Sequence, residues 1–298
     1  MSATPSILSF GSLNIDHVYQ VDAFVRAGES IPTRGYEIHP GGKGANQSVA
    51  LARAGAAVRH GGAVGKDGGW LVELLRKEGI DTSGIQILDT VTGHAMIQVN
   101  REGDNAIFVH PGANMAQEVD DMIGTIRSSP PGTWLLLQNE INDVAGLIEA
   151  GHDHGLKICL NPAPLDDRLQ ATPIEKVDIL IVNQPEGAAL SGESEPARIL
   201  STLKTRFGVP EIVLTLGGDG CRVAEGETVE NIPAYPVQAV DTTAAGDTFI
   251  GYYLAERLQG QTPARAARLA SRAAAVAVTR PGAMPSIPRR EELDQSVG

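Results

Sequence analysis

Late in the chain, the segment Asp241-Thr-Thr-Ala-Ala-Gly-Asp247-Thr-Phe249 sets small side chains between two carboxylates. A β-like stretch, Tyr235–Val240, leads into it, and a helical pattern through Phe249, Tyr253 and Leu258 follows. Ala244, Ala245, Gly246 and Asp247 therefore fall at a helix amino terminus, where bare N–H groups and the helix dipole favour an approaching anion. Such a cradle suits the charge that builds on a phosphoryl group during transfer. Asp247 stands where it can accept the proton of an attacking hydroxyl, as a weak base that acts late. Taken alone, a Gly-Asp pair in this place also serves as an ordinary helix cap.

A second candidate is Gly41-Gly42-Lys43-Gly44-Ala45-Asn46-Gln47, which opens another helical pattern. Lys43 and Asn46 are three apart and share a helical face, so they can converge on one ligand, and the preceding glycines permit close backbone approach. A glycine-rich turn before a packed helix is the competing reading. No GxxxxGK[ST] phosphate loop occurs in the chain. Upstream, Asn14 and Asp16 are two apart in a strand-like stretch and point to one face, offering the acceptors and amide donors that a polyhydroxylated sugar needs. They also fit a turn. Glu140 follows the apolar run Trp134–Gln138, at the strand end where α/β proteins bind ligands.

With these residues the chain resembles the ribokinase (PfkB) family of carbohydrate kinases. Asp241–Phe249 is similar to the family's carboxy-terminal signature, and residues 41–47 to its amino-terminal one in the form ribokinases carry. The two lie about 200 residues apart in the family's order, and the resemblance runs from Ile7 to Pro288. It implies an ATP-dependent kinase acting on the primary hydroxyl of a small sugar, D-ribose first, with Asp247 as base and the Ala244–Asp247 backbone as anion hole. It implies sugar contacts from Asn14, Asp16, Gly42, Lys43, Asn46 and Glu140, with Ala95 and Ile97 against the sugar's apolar face. For the nucleotide it implies Asn183 and Glu186, an NxxE element whose carboxylate organises Mg²⁺ through water, together with Thr215, Gly217, Gly246 and, near the adenine, Ser271. Asp241, Thr243, Ala277, Gly282 and Ser286 match a loop that holds potassium. A homodimer paired through a β lid is also implied. Ile250 and Ser271 depart from residues common in ribokinases, and His94 opens a lid strand, so the sugar is less defined than the phosphoryl chemistry. None of the seven histidines is assigned to catalysis. A nucleoside or other sugar kinase on the same scaffold, or a non-catalytic sugar or nucleotide sensor, are the competing readings.

The elements that must position these groups are legible as alternating short apolar runs and helical patterns. Ser6–Phe10, Trp134–Gln138, Lys157–Leu160, Ile179–Val182 and Glu211–Thr215 read as buried strands. Ala45, Val49 and Ala52, and Leu71, Leu74 and Leu75, have helical spacing. That alternation predicts a doubly wound, mainly parallel α/β sheet flanked by helices, the whole chain (1–298) forming one unit. Residues 14–40 and 90–110 break the rhythm with polar alternation, and the second reads as a hairpin around Arg101–Asn105. Together they predict a small β lid over the ligand site. Pro263–Val278 reads as a packed helix with a basic edge, and the tail from Ile287 as polar and peripheral.

Composition narrows the partners. With 24 basic against 36 acidic side chains, the net charge of −12 argues against nucleic acid and anionic membrane surfaces. It does not exclude an anion held locally by backbone amides. Cys159 and Cys221 form no CxxC or Cys/His cluster, which predicts neither zinc nor disulfide and suits a reduced cytoplasm. No basic-then-apolar leader is evident at the amino terminus, and no apolar run is long enough to span a bilayer.

Overall fold

A computed structural model of the protein describes residues 6–295. The first five residues, within the stretch read for a leader, and the last three of the tail lie outside the described residues. In chain order the strands are β1 (Ser6–Phe10), β2 (Asn14–Gln20), β3 (Gly35–Gly41), β4 (Ala57–Gly65), β5 (Asp81–Leu88), β6 (Gly93–Val99) and β7 (Asn105–His110). There follow β8 (Trp134–Gln138), β9 (Lys157–Asn161), β10 (Ile179–Asn183), β11 (Glu211–Thr215), β12 (Cys221–Glu225) and β13 (Thr228–Ile232). The helices are α1 (Lys43–Arg53), α2 (Gly69–Lys77), α3 (Val119–Arg127), α4 (Val144–Asp153) and α5 (Gln184–Ser191). The chain continues through α6 (Pro196–Phe207), α7 (Ala245–Leu258), α8 (Pro263–Ala277) and α9 (Arg290–Gln295).

Nine strands form one sheet in the order β13-β12-β11-β10-β9-β8-β1-β4-β5, and four form a second in the order β3-β2-β6-β7. From β11 to β5 every pairing in the large sheet is parallel; β12 and β13 add an antiparallel hairpin at one edge. The side chains explain why both faces must be covered. In β8, Leu135 and Leu137 join one core while Leu136 joins the other, and in β10 Leu180 and Val182 oppose Ile179 and Ile181. Apolar residues of α1, α2, α7 and α8 complete the first core, and those of α3, α4 and α6 the second. A strand buried on both faces needs helices on both sides, and local signals start and stop them. Asn183 and Glu186 form a reciprocal capping box on α5, Pro196 opens α6, and Gly192 and Gly208 end these helices at positive φ.

Two expectations fail. Tyr235–Val240 is not a strand. Pro233 and Pro236 withhold the amides a ladder requires, and the segment runs irregularly along a cavity wall before Val240 and Asp241 donate to the Val278 carbonyl at 2.7 and 3.1 Å. The tail beyond Ile287 is not peripheral either. Ile287 and Leu293 are fully buried against the first core, and the Arg53 guanidinium donates to the carbonyls of Met284 and Ile287 at 3.1 and 2.5 Å. The Tyr252 hydroxyl also donates to the Pro288 carbonyl at 2.8 Å, and Arg289 and Arg290 pair with Glu78 and Glu256, so polar contacts as well as two apolar side chains dock it.

The contact that matters most for the site joins α1 to α7. A Cβ placed on Gly251 would lie 2.3 Å from the Ala50 Cβ and 2.8 Å from the Leu51 nitrogen, so the helices touch backbone to backbone. Gly124, in α3, has nothing within 4 Å of the same position. Alanine gains about 1 kcal/mol over glycine in a helix, whereas overpacking a filled contact costs about 1–3 kcal/mol. Gly124→Ala is therefore expected to raise the melting temperature slightly, and Gly251→Ala to lower it by several degrees and reduce turnover. Thermal unfolding of the two variants, read side by side, checks the sign at each position.

Candidate functional site

The strands of the parallel sheet end on one side of the molecule, and the chemistry collects there. Asp247 sits in the first turn of α7, 7% exposed. Its Oδ2 accepts from Asn46 Nδ2 at 3.0 Å and its Oδ1 from Gln47 Nε2 at 2.9 Å. The α1–α7 contact below brings these side chains together across about 200 residues of sequence. Ala244, the cap residue of α7, holds φ +58°, a left-handed conformation that costs a non-glycine residue about 1 kcal/mol or more. The Ala245 amide donates to the Thr242 carbonyl at 3.2 Å. The amides of Gly246 and Asp247 lie in the first turn, where the helix offers no acceptor, so of the expected anion hole they are the donors left for a ligand.

The amino terminus of α1 is built against the β1–β2 connection. Gly42 has φ +92°, and a Cβ on it would meet the Ser12 carbonyl oxygen at 2.8 Å and the Asn14 nitrogen at 2.9 Å. A Cβ on Gly41 would strike the Asp16 carboxylate at 2.1 Å. Lys43 then begins the helix, and its backbone amide donates to Glu140 Oε2 at 3.1 Å, an oxygen that also accepts from the Ser12 hydroxyl. Burial pushes the Glu140 carboxyl up, against the pull of Lys43 and its hydrogen bonds. The negative charge of Asp247, more than that of Glu140 and Glu186, raises Lys43 against its own burial. Asp16, on the small sheet, is pushed from 3.8 to about 6, first by burial and then by Glu140.

Asn14 is 6% exposed, and its Oδ1 accepts from Asn114 Nδ2 at 2.8 Å, which leaves the Asn14 amide nitrogen to donate elsewhere. Ala95 and Ile97 of β6 pair across from Asp16 and Val18 of β2, on the face that carries Asn14 and Asp16. The lid strands expected within residues 14–40 and 90–110 are β2, β3, β6 and β7.

Two adjoining cavities complete the site. One, of about 240 Å³, is lined by Lys43, Asn183, Glu186, Gly246, Asp247 and Ile250 among others. The second, about 370 Å³ and mostly apolar, is bounded by Gly217, Tyr235, Val237, Phe249, Ser271 and Ala274. Thr215, Thr242 and Gly246 line both, so the two adjoin. Each expected nucleotide residue therefore borders one cavity or both. Glu186 keeps both carboxylate oxygens on Asn183, at 3.0 and 2.8 Å, and burial raises it despite those bonds and Lys43. Among the described residues no three acidic, histidine or cysteine side chains converge as a metal cage. A divalent ion beside Glu186 would therefore keep most of its waters, which fits Mg²⁺.

Of the residues expected at a monovalent cation, Asp241, Thr243 and Gly282 are joined by hydrogen bonds. Asp241 Oδ1 accepts from the Thr243 amide and hydroxyl at 2.9 and 2.6 Å, and its Oδ2 from the Gly282 amide at 2.8 Å. Burial pushes the Asp241 carboxyl up, but these three bonds outweigh it and leave it lowered. Ala277 closes α8 with its carbonyl accepting from Arg280, and the Ser286 hydroxyl donates to the Ala283 carbonyl at 2.8 Å. One fixed carboxylate among carbonyls and hydroxyls suits a large monovalent cation better than a small divalent one.

Sequence reasoning missed Ser12, Asn114, Gln138 and Asn161, and quoted Gln47 without giving it a role. All but Ser12 carry side-chain amides and all are buried, and a polar residue at an apolar strand's end, such as Gln138 after Trp134–Leu137, was the available signal.

Residues 4–290 match the pfkB family carbohydrate kinase profile. The chain is 36% identical to the ribokinase of Haemophilus influenzae over 95% of each protein. It superposes on a ribokinase structure from Thermotoga maritima with a TM-score of 0.87, at 33% identity, covering 97% of this chain and 98% of that one. A ribokinase from Arabidopsis thaliana complexed with ribose and ATP gives a TM-score of 0.87 at 27% identity over 98% of both chains. With both signatures in place around one buried aspartate, the chain belongs to the pfkB family of carbohydrate kinases.

Proposed function

We propose that the protein transfers the γ-phosphoryl group of ATP to the primary hydroxyl of D-ribose. The observation that carries this reading is the position of Asp247: it borders the cavity that joins Lys43 and Glu186 to a larger apolar cavity of nucleobase dimensions. Identity to curated ribokinases supports ribose over other sugars. The adenine would occupy the apolar cavity beside Ser271, with the phosphates running past Thr215 and Gly217 toward Gly246. Asn14, Asp16, Asn46 and Glu140 orient the sugar, and Ala95 and Ile97 flank it. Asp247 takes the hydroxyl proton as the oxygen attacks, and the Gly246 and Asp247 amides stabilise the charge on the transferred group. Lys43, its charge held by the surrounding carboxylates, offsets that charge further. Mg²⁺ near Glu186 would neutralise phosphate charge, and K⁺ in the Asp241 loop would steady the amino terminus of α7. An intact base and anion site favour this reading over a non-catalytic sensor.

The small sheet is the lid, closing to keep water from the phosphoryl group. Its outer face presents Tyr36, Ile38 and Phe108, each about half exposed or more, which supports pairing of two copies through the lid. Two reduced, buried cysteines and ATP as substrate support a cytoplasmic location, with the chain acting as one unit.

In a coupled ADP-release assay with Mg-ATP and potassium, ribose should exceed deoxyribose, fructose, arabinose and nucleosides in kcat/KM. A nucleoside turned over well above ribose would transfer the reading to that substrate class. Asp247→Ala should reduce kcat about a thousandfold, within the ~10²–10⁴ that general bases contribute, while calorimetric ATP binding persists. Retention of most turnover would remove Asp247 from its role.

Asp16 yields a test with a defined sign. Its raised pKa means the folded protein holds this proton more tightly than the unfolded chain, so its ionisation destabilises the fold by roughly 3 kcal/mol above pH 6. That cost is absent below the unfolded value of 3.8. Asp16→Asn should therefore melt several degrees higher than the parent at pH 7.5 and no higher at pH 3.5. Its sugar KM should rise at least tenfold at pH 7.5, and in the parent KM should rise as pH falls below about 6.

A further inference from the structure

We infer that Gln47 is a positioning residue for the phosphoryl-transfer base, acting through a one-way chain of amides that ends on Asp247. This rests on the reading of Asp247 as the base. Gln47 is fully buried in the first turns of α1, and its Nε2 donates to Asp247 Oδ1 at 2.9 Å and to Asn161 Oδ1 at 3.3 Å. Its Oε1 accepts from Gln138 Nε2 at 2.8 Å. Gln138 is also fully buried, at the end of β8, and Asn161 is 6% exposed at the end of β9.

The direction of each amide follows from its neighbours. A carboxylate accepts only, so Gln47 must turn its nitrogen toward Asp247. Its oxygen then faces Gln138, which must answer with its own nitrogen. Asn161 is held in its orientation independently, because its Nδ2 donates to the Ile181 carbonyl at 3.1 Å. Its oxygen therefore faces Gln47 and takes the second Nε2 hydrogen. With both hydrogens and the oxygen of Gln47 committed, the side chain has one orientation. Two strand ends of the large sheet thus fix one oxygen of Asp247, and Asn46 fixes the other at 3.0 Å.

The chemical consequence is a carboxylate that cannot rotate. Each oxygen spends one lone pair on an amide and keeps another for the incoming proton. Gln47 is fully buried against Asp247 and lines neither cavity, so its contribution should appear in kcat and not in binding. The strength of this chain is also matched to its place: a bond from an amide to a buried carboxylate is charge-assisted and contributes about twice a neutral one.

The test compares Gln47→Leu, Gln47→Glu and Asp247→Ala under saturating Mg-ATP with whichever sugar the parent turns over best. Gln47→Leu should lose about ten- to a hundredfold in kcat, with KM for sugar and ATP within twofold. The acid limb of its kcat profile should move to higher pH, since a carboxylate deprived of a donor is protonated more readily. Gln47→Glu keeps the volume but puts an acceptor against Asp247, so its acid limb should move further still. Should the leucine variant fail to fold, the glutamate variant and Gln138→Leu, which removes only the donor to Gln47, carry the same readout with a smaller loss for Gln138→Leu. A folded Gln47→Leu with the parent kcat and pH profile overturns the inference while an inactive Asp247→Ala keeps the base. An active Asp247→Ala overturns the reading beneath it, and an equal change in kcat and KM with an unmoved pH profile reduces Gln47 to a structural role.

Discussion

A buried carboxylate must be satisfied, and the way Asp247 is satisfied governs the architecture of this protein. Its two oxygens bind amides from α1, so α1 and α7 must sit at one distance and one rotation. That requirement explains why the helices touch through Gly251 and Ala50, since any side chain at 251 would hold the carboxylate away from Asn46 and Gln47. It also explains the glycines at the other end of α1. Gly42 and Gly44 let the helix start directly on the backbone of residues 11–14, and from there Lys43 and Asn46 emerge on the face that Asp247 approaches. At the site itself, local strain falls in the turn before α7, where Ala244 takes a left-handed conformation and the amides of Gly246 and Asp247 follow in the first helical turn.

The large sheet supplies the rigid frame for this contact. Its parallel strands end together, and four of the ends supply polar residues: Gln138 closing β8 with Glu140 just beyond, Asn161 on β9, Asn183 on β10 and Thr215 on β11. Buried on both faces by two separate cores, these strands have little freedom to shift relative to one another. The small sheet is different in kind. Its strands β3 and β7 are more exposed than those of the large sheet and pack less, which suits the lid role proposed for it.

What could be read in the residues follows the same division. Continuous apolar runs such as Trp134–Leu137 and Ile179–Val182 announce buried parallel strands because they are short and rich in branched or aromatic side chains, whereas the apolar run Ala273–Val278 is mostly alanine and closes a helix. The polar alternation of residues 93–110 announces a half-exposed hairpin for the complementary reason. The two signatures were legible because their residue types and spacing are unusual, and both converge on Asp247. The Tyr235–Val240 segment misled because its alternation imitates a strand while its prolines deny the ladder. The docked tail was hidden because Ile287 and Leu293 are isolated among polar residues, and burial of single side chains leaves no periodic trace. The partnership of Gln47, Gln138 and Asn161 was hidden for a deeper reason, even where a single residue such as Gln138 left a signal at its strand's end. Each is an ordinary amide in its own segment, and only the fold turns three strand and helix ends into one hydrogen-bonded chain.

The charges around the site show what the protein leaves for its ligands to complete. Glu140, Glu186 and Asp247 surround Lys43, Asp16 lies beside Glu140, and burial raises Asp16, Glu140 and Glu186. Hydrophobic residues of equal volume would make a more stable fold, as buried charges generally do no better than break even. The arrangement makes sense once the substrates are included. On the proposed reading, a polyol would bring hydroxyl donors to Asp16 and Glu140, and a metal–nucleotide would bring positive charge to Glu186, so each ligand would relieve a different part of the repulsion. Binding of either would then favour closure of the proposed lid, because closure would deepen the burial only of groups that the ligand has already satisfied. On that reading the burial of like charges weighs most on the empty site.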